Sequence, residues 1–248
     1  MKSFDLVVFD IDGTLTRSKL PLDNEMATLL SRLMGKYKVA IISGASYEQF
    51  KWQILDQLQC PPDKMKNLYL LATDGTVFCS YSDGWQCQSD APLSEVEKEQ
   101  IRAAFENIFE ASRLESPDKI YGELIEDRGA QLNFSALGQE APIELKGKWD
   151  PDNQKREQMI AVLKRALPDF SMRIGGTTSI EVTKVGIDKA YGLNKLIVQS
   201  GISRKKMLYV GDKLSSGGND APVLSVAGEC RAVKGPEETK KVILELLA

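Results

Sequence analysis

Phe4-Asp-Leu-Val-Val-Phe9 runs directly into Asp10-Ile-Asp12-Gly-Thr14-Leu-Thr16. The first six residues read as a buried strand, and the carboxylates follow where that strand must stop. In an open α/β sheet the carboxyl ends of the strands form the lip at which ligands bind. Asp10 and Asp12 would point to opposite faces of an extended segment. They serve one substrate only if the chain turns just after Asp10, and Gly13 permits that turn. A bare Asp-x-Asp followed by glycine is equally at home in a plain turn, so the rest of the chain has to decide between the two.

Working outward, Asp23 is placed to cap a helix carrying Met26, Leu29, Leu30 and Leu33 at helical spacing. Val39-Ala-Ile-Ile42 is an uninterrupted apolar strand of the kind covered on both faces. Ser43-Gly-Ala-Ser46 leads into another helix, with Ser46 and Gln49 spaced as a capping box. Leu68-Tyr-Leu-Leu71 makes a third strand, ending at Thr73-Asp-Gly75. This alternation predicts a right-handed, parallel, Rossmann-like α/β sheet.

The pattern then changes. A hairpin is expected around Ser82-Asp-Gly84, with a helix opening at the capping box Ser94-Glu-Val-Glu97 and reaching about Ser112. Strands are predicted over Tyr121–Arg128, Gln131–Leu137, Phe170–Ile174 and Ser179–Lys184, with a helix over Asp152–Leu167. Alternation in Gln131–Leu137 and Ser179–Lys184 suggests an antiparallel sheet with helices on one face and a free polar face, an α+β lid. From Gly186 the α/β style resumes: a helix carrying Leu193 and Leu196, the strand Lys206–Val210, a strand about Arg231–Val233 and a helix opened by Pro236. The expected organisation is a discontinuous core, 1–84 and 187–248, with an inserted domain, 85–186.

Composition narrows the chemistry. The 248 residues include 32 basic and 35 acidic side chains, a net charge of −3, with no basic stripe for nucleic acid and no apolar run long enough for a membrane. A cytoplasmic protein is expected. Its four cysteines, Cys60, Cys79, Cys87 and Cys230, lack metal-ligand spacing. Cys79 and Cys87 fall where a hairpin would bring them face to face, yet reduced thiols are the expectation. There is no histidine at all, which excludes Ser–His and Cys–His nucleophile pairs and His-bound zinc.

Four segments fall just beyond core strands or at helix starts: Asp10 and Asp12, Ser43, Lys189, and Asp212 with Gly217-Gly-Asn219-Asp220. Singly, Ser43 reads as a turn residue, Lys189 as an exposed helix lysine, Asp188 as an N-cap and Asn219-Asp220 as a turn. Together they make sense as a phosphoryl-transfer site. A carboxylate attacks phosphorus, a second protonates the leaving oxygen, and a hard cation, Mg²⁺, offsets the repulsion between anions.

These segments resemble the four motifs of the haloacid dehalogenase (HAD) superfamily, and the position of the insertion resembles a type IIB cap. The resemblance implies Asp10 as nucleophile and Asp12 as general acid/base, with Ser43 and Lys189 gripping the phosphoryl group. Thr14 would support the aspartate loop, with Gly44 beside the phosphate. Asp10, the Asp12 carbonyl and Asp212 would hold Mg²⁺, with Asn219 and Asp220 in or near its shell. Within the superfamily the chain is most similar to eukaryotic-type phosphomannomutases, through Ile125-Glu-Asp-Arg128, Leu132-Asn-Phe-Ser135, Ile174-Gly-Gly176 and Ser179-Ile-Glu-Val182 as well. That family's cap grips a distal phosphate with several arginines and a Ser-x-Asp pair, and a cap-mediated homodimer is implied. Arg128 matches one arginine, but Gln139 stands where another is expected, Lys146 near a third, and Glu181 replaces the aspartate partner of Ser179. Glutamine does not bind phosphate bidentately, and lysine binds it as a point charge. Asn133, Gln139, Ser179 and Glu181 suit sugar hydroxyls. The reading is therefore a Mg²⁺-dependent sugar-phosphate phosphatase, with phosphomannomutase as the alternative and a non-catalytic binding protein of the same fold as a remote third.

Overall fold

The structure is a computed structural model that describes residues 4–248. It divides into two compact units, Met1–Asp90 with Asp188–Ala248, and Ala91–Ile187.

In the first unit, β1 (Leu6–Phe9) is followed by α1 (Asn24–Leu33), β2 (Lys38–Ile42), α2 (Tyr47–Phe50), α3 (Pro62–Met65), β3 (Leu68–Ala72), and the hairpin β4 (Val77–Tyr81) and β5 (Trp85–Ser89). The second unit holds α4 (Glu95–Phe105), α5 (Ile108–Ala111), β6 (Ile125–Asp127), β7 (Gln131–Ser135), α6 (Ile143–Trp149), α7 (Gln154–Ala166), β8 (Phe170–Ile174) and β9 (Ser179–Lys184). The first unit closes with α8 (Lys189–Ser200), β10 (Met207–Gly211), β11 (Glu229–Ala232) and α9 (Pro236–Leu247).

Seven strands form the core sheet in the order β11-β10-β1-β2-β3-β4-β5. The five from β11 to β3 are parallel, and the hairpin adds antiparallel strands at one edge. Successive side chains alternate between two layers, as a pleated strand requires. Val7, Phe9, Val39 and Ile41 pack with Met26, Leu30 and Leu33 of α1 and Ile243 of α9. Leu6, Val8, Ala40 and Ile42 pack with Leu193 and Leu196 of α8. Both faces are covered, which is why β1 is apolar throughout and β2 is apolar after Lys38. The chain winds one way from β1 through β2 to β3 and the other way through β10 to β11. Ligands in such sheets bind where the winding reverses, and Asp10 and Asp212 leave β1 and β10 at that point.

β5 pairs with β4 along its whole length, Val77 opposite Ser89 and Tyr81 opposite Trp85. The second half of the hairpin therefore stays with the core, and the first unit ends at Asp90 rather than near residue 84. Cys79 and Cys87 are register partners and form a disulfide, which corrects the expectation of four reduced thiols.

The second unit is an antiparallel sheet, β6-β7-β9-β8. Leu132, Phe134, Ile180 and Val182 face a core completed by Ile101 and Phe105 of α4, Ile108 of α5 and Met159 and Leu163 of α7. Phe105 stacks on Phe134 with ring centroids 4.4 Å apart. α7 is anchored by Arg156, which donates to Asp150 at 2.7 Å and to the Gly176 carbonyl. The opposite sheet face is polar as expected but is not solvated: Gln131, Asn133, Ser135, Ser179 and Thr183 are all buried. Within the segment expected as a strand over 121–128, only Ile125–Asp127 pair. The helix expected to run unbroken to Ser112 is interrupted between Phe105 and Ile108. No helix among the described residues is long and apolar enough to cross a membrane.

Candidate active site

Asp10 emerges from β1 almost inaccessible, 4 % exposed. The next residues curl into a tight loop in which the Thr14 and Leu15 amides donate to the Ile11 carbonyl and the Gly13 amide to the Thr16 carbonyl. Gly13 is required here on two counts. Its φ is +84°, and a Cβ would lie 2.4 Å from Asp212 Oδ2. The loop thus brings the ends of β1 and β10 into contact. Thr14 is buried with its Oγ1 3.5 Å from Asp10 Oδ2.

Lys189 Nζ donates to Asp10 Oδ1 at 2.5 Å and to Asp220 Oδ1 at 2.6 Å, with only 1 % of the residue exposed. It opens α8, where Asp188 is the N-cap, accepting from the Tyr191 amide. Burial alone would lower the Lys189 pKa, but Asp10, Tyr209 and Asp220 outweigh it and hold the ammonium well above its ordinary range. Burial also dominates at Asp10, and with Asp220 and Asp212 nearby it pushes that carboxyl up to about 7 against the pull of Lys189. Asp220 goes the other way. Burial opposes its ionisation, but Lys189, the Tyr209 hydroxyl at 2.6 Å and the Lys213 amide at 3.0 Å hold its pKa below the ordinary value. Tyr209 and Gln53 are participants that the sequence reading missed. A tyrosine on an otherwise apolar strand is the available signal for the first.

Asp10, Asp212 and Asp220 each offer an oxygen, and these lie within 4.8 Å of one another. Asp212 Oδ1 and Asn219 Oδ1 are buried without hydrogen-bond partners. An all-oxygen donor set with two orphaned acceptors fits a hard cation such as Mg²⁺. Asp220 differs within the set, since both its oxygens already accept hydrogen bonds. Its geometry makes it an orienter of Lys189.

Ser43 follows β2 and is also buried; its Oγ accepts from the Ala45 amide at 3.2 Å, and its carbonyl accepts from the Asp74 amide. Gly44 lies buried between Ser43 and Ala45. Asp12 is partly buried, with Oδ1 accepting from the Lys19 amide at 2.7 Å and from Gln53 Nε2 at 3.2 Å.

In the second unit, three of the residues expected to meet a sugar, Asn133, Gln139 and Lys146, are engaged with one another. Gln139 donates through Nε2 to the carbonyls of Leu124 and Asn133, at 3.2 and 3.0 Å, and accepts from Asn133 Nδ2 at 3.4 Å. Both of its N–H groups are therefore occupied, contrary to the expectation that they read hydroxyls. Lys146 is buried and donates to the Gln139 carbonyl at 2.7 Å. Arg128 pairs with Glu126 at 2.6 Å. Ser179 and Glu181 sit opposite Ser135 and Asn133 across the β7–β9 ladder. Gln131, beside them on β7, is fully buried with both amide atoms lacking a partner.

Comparison with known proteins gives this arrangement a lineage. The pattern that defines eukaryotic phosphomannomutases matches residues 26–248. The chain belongs to the eukaryotic phosphomannomutase family. Within that family it is 27% identical over 252 residues to the phosphomannomutase of Saccharomyces cerevisiae, covering 97% of this chain and 93% of the yeast protein. It is 27% identical over 246 residues to phosphomannomutase 2 of Dictyostelium discoideum, covering 96% and 94% of the two chains. Among solved structures, the ATP-bound IMP-nucleotidase of Plasmodium falciparum superposes with a TM-score of 0.75 at 18% identity, over 99% of this chain and 60% of that one. A haloacid dehalogenase-like hydrolase from Bacteroides thetaiotaomicron gives 0.63 at 15% identity, over 98% and 100%. These last two likenesses establish the fold alone, which the chain shares with both structures.

Proposed function

We propose that the chain is a Mg²⁺-dependent sugar-phosphate phosphatase working through an aspartyl-phosphate. Asp10 attacks phosphorus and forms the new P–O bond as the bond to the sugar oxygen breaks. Asp12 gives its proton to that departing oxygen. It then takes a proton from water, which attacks the aspartyl-phosphate, releases inorganic phosphate and frees Asp10. Lys189 and Ser43 would hold the phosphoryl oxygens, with Thr14 and Gly44 shaping the loops around them. Asp10, the Asp12 carbonyl, Asp212 and Asn219 would hold Mg²⁺, which when bound supplies positive charge between two anions.

The observation that favours hydrolysis over mutase chemistry lies in the inserted unit. A mutase must bind a sugar bisphosphate in two orientations, so its cap needs cations able to grip phosphate. Here Arg128 is paired with Glu126, Lys146 donates to a carbonyl, and Gln139 is tied to the backbone. Asn133, Ser179 and Glu181 remain the proposed readers of sugar hydroxyls. Family membership favours the second reading, phosphomannomutase. A cytoplasmic location and a homodimer formed through the cap belong to the same proposal.

The deciding assay is phosphate release from a panel of hexose phosphates with Mg²⁺, with Asp10→Asn as control. Mannose 1-phosphate isomerisation is followed in parallel, with and without a hexose bisphosphate. Phosphate release abolished by Asp10→Asn supports hydrolysis. Activator-dependent isomerisation with negligible phosphate release overturns it.

A further inference from the structure

Gln53 reaches Asp12 from 41 residues away in sequence, and the route by which it does so is unusual. After α2, capped by Ser46, the helix continues as a π-helical turn over Lys51–Leu55. Such turns are rare and concentrate at functional sites. This one carries Gln53, whose exposure is 0 %. An uncharged, highly flexible side chain loses rotamer entropy when fixed in this way, and Gln53 is fixed at every polar atom. Its Nε2 donates to the Leu20 carbonyl at 3.0 Å and to Asp12 Oδ1 at 3.2 Å, while Oε1 accepts from Gln49 Nε2 at 2.8 Å. The assignment of nitrogen and oxygen follows from chemistry, since a backbone carbonyl only accepts. Asp12 is therefore faced by an N–H.

The consequence falls on the geometry of Asp12. Oδ1 receives two donors, the Lys19 amide and Gln53. Oδ2 makes no hydrogen bond among the described residues, so it is the oxygen left to carry and exchange a proton. We propose that Gln53 is a positioning residue for the general acid/base: it fixes the Asp12 carboxylate so that Oδ2 is presented to the leaving oxygen and later to water. Gln49 supports it from behind, which explains why its side chain leaves the capping-box position and turns to Gln53. This inference rests on the reading of Asp12 as acid/base given above.

The test uses leaving groups of different need. A hexose oxygen must be protonated as it departs, whereas p-nitrophenolate departs unaided. Gln53→Met keeps length and volume but removes the donor. Its turnover of hexose phosphate should fall about tenfold to a hundredfold with KM nearly unchanged. The rapid burst of p-nitrophenolate from p-nitrophenyl phosphate should keep the parental rate, and the steady rate after it should fall. Gln49→Met, which keeps the Gln53 donor, should show the same selectivity with a smaller loss, and it serves if Gln53→Met does not fold. Turnover within twofold of the parent in both variants overturns the proposal, as does a burst slowed as much as hexose turnover. If the parent isomerises instead of hydrolysing, the hydrolysis reading fails, and the Gln53 comparison is read on the isomerisation rate.

Discussion

Lys189 donates to Asp10 at 2.5 Å across 179 residues of sequence, and the whole inserted unit lies between them in the chain. Asp220 takes a second hydrogen bond from the same ammonium, so one buried cation stands between two buried carboxylates. Removing one partner of such a cluster leaves uncompensated charge in a low-dielectric site. Lys189→Met should destabilise the protein by about 3–5 kcal/mol in urea unfolding without metal. Phosphoryl transfer should fall by at least about a hundredfold, since the charge that faces the transferring group is lost. Added Mg²⁺ should recover part of the stability and little of the rate.

The position of that lysine depends on two glycines. α8 lies so close to the turn after β3 that a Cβ on Gly192 would sit 2.6 Å from the Asp74 carbonyl oxygen and 2.6 Å from Ile42 Cδ1. The Gly192 contact is one helical turn from Lys189, and the facing residue is Gly75 at φ +94°. Gly192→Ala should therefore move the start of α8, cost about 1–3 kcal/mol and lower turnover. Gly147 in α6 is the contrasting case, since a methyl group there would meet nothing within 4 Å. Gly147→Ala should stabilise the protein by about 0.4–1 kcal/mol and leave turnover unchanged. Equal effects at the two positions would refute the packing argument.

Asp10 gives a pH signature of definite sign. Its folded pKa of about 7 exceeds the ordinary 3.8, chiefly through burial, so between these values the folded chain holds a proton that the unfolded chain has lost. Its contribution to stability then declines as pH rises from about 4 to 7. Asp10→Asn removes this term. In EDTA the variant should match the parent near pH 4 and exceed it at pH 7.5, by at most about 4 kcal/mol. Asp23 and Asp150 are shifted downward by partners outside the site and lose stability in acid in both proteins alike, so they cancel from the difference. A difference that does not change with pH would contradict the burial argument.

The core was legible in the sequence because its signals are local. Buried parallel strands are apolar at every position, as in Val39–Ile42, and their helices announce themselves through caps such as Asp23 and Pro236. Asp10, Ser43 and Asp212 were legible as candidates because each follows directly on such a strand. Gln53 and Tyr209 were not, because each acts through one side chain directed across the fold, and no spacing marks it. The inserted unit was read less well for a related reason. Short, mixed segments such as 121–124 stay outside the ladder although they resemble β6, and the Gln139–Asn133–Lys146 contacts depend on register rather than composition.

The hairpin at the edge of the core sheet supplies the last prediction. β5 pairs on one side only, with β4, so beyond its backbone ladder it is fastened by the Cys79–Cys87 disulfide. Cys79 belongs to the buried core while its partner lies on the edge strand, so the bond joins a rigid strand to one that would otherwise fray. Thiol titration of the denatured chain without reductant should give two thiols, those of Cys60 and Cys230, and four after reduction. Closing so short a loop is worth at most about 2.5 kcal/mol, so reduction should lower stability by about that or less and leave the site at β1 and β10 working. Four thiols in chain purified from cells without reductant would mean that β5 is held by its ladder alone where the protein works.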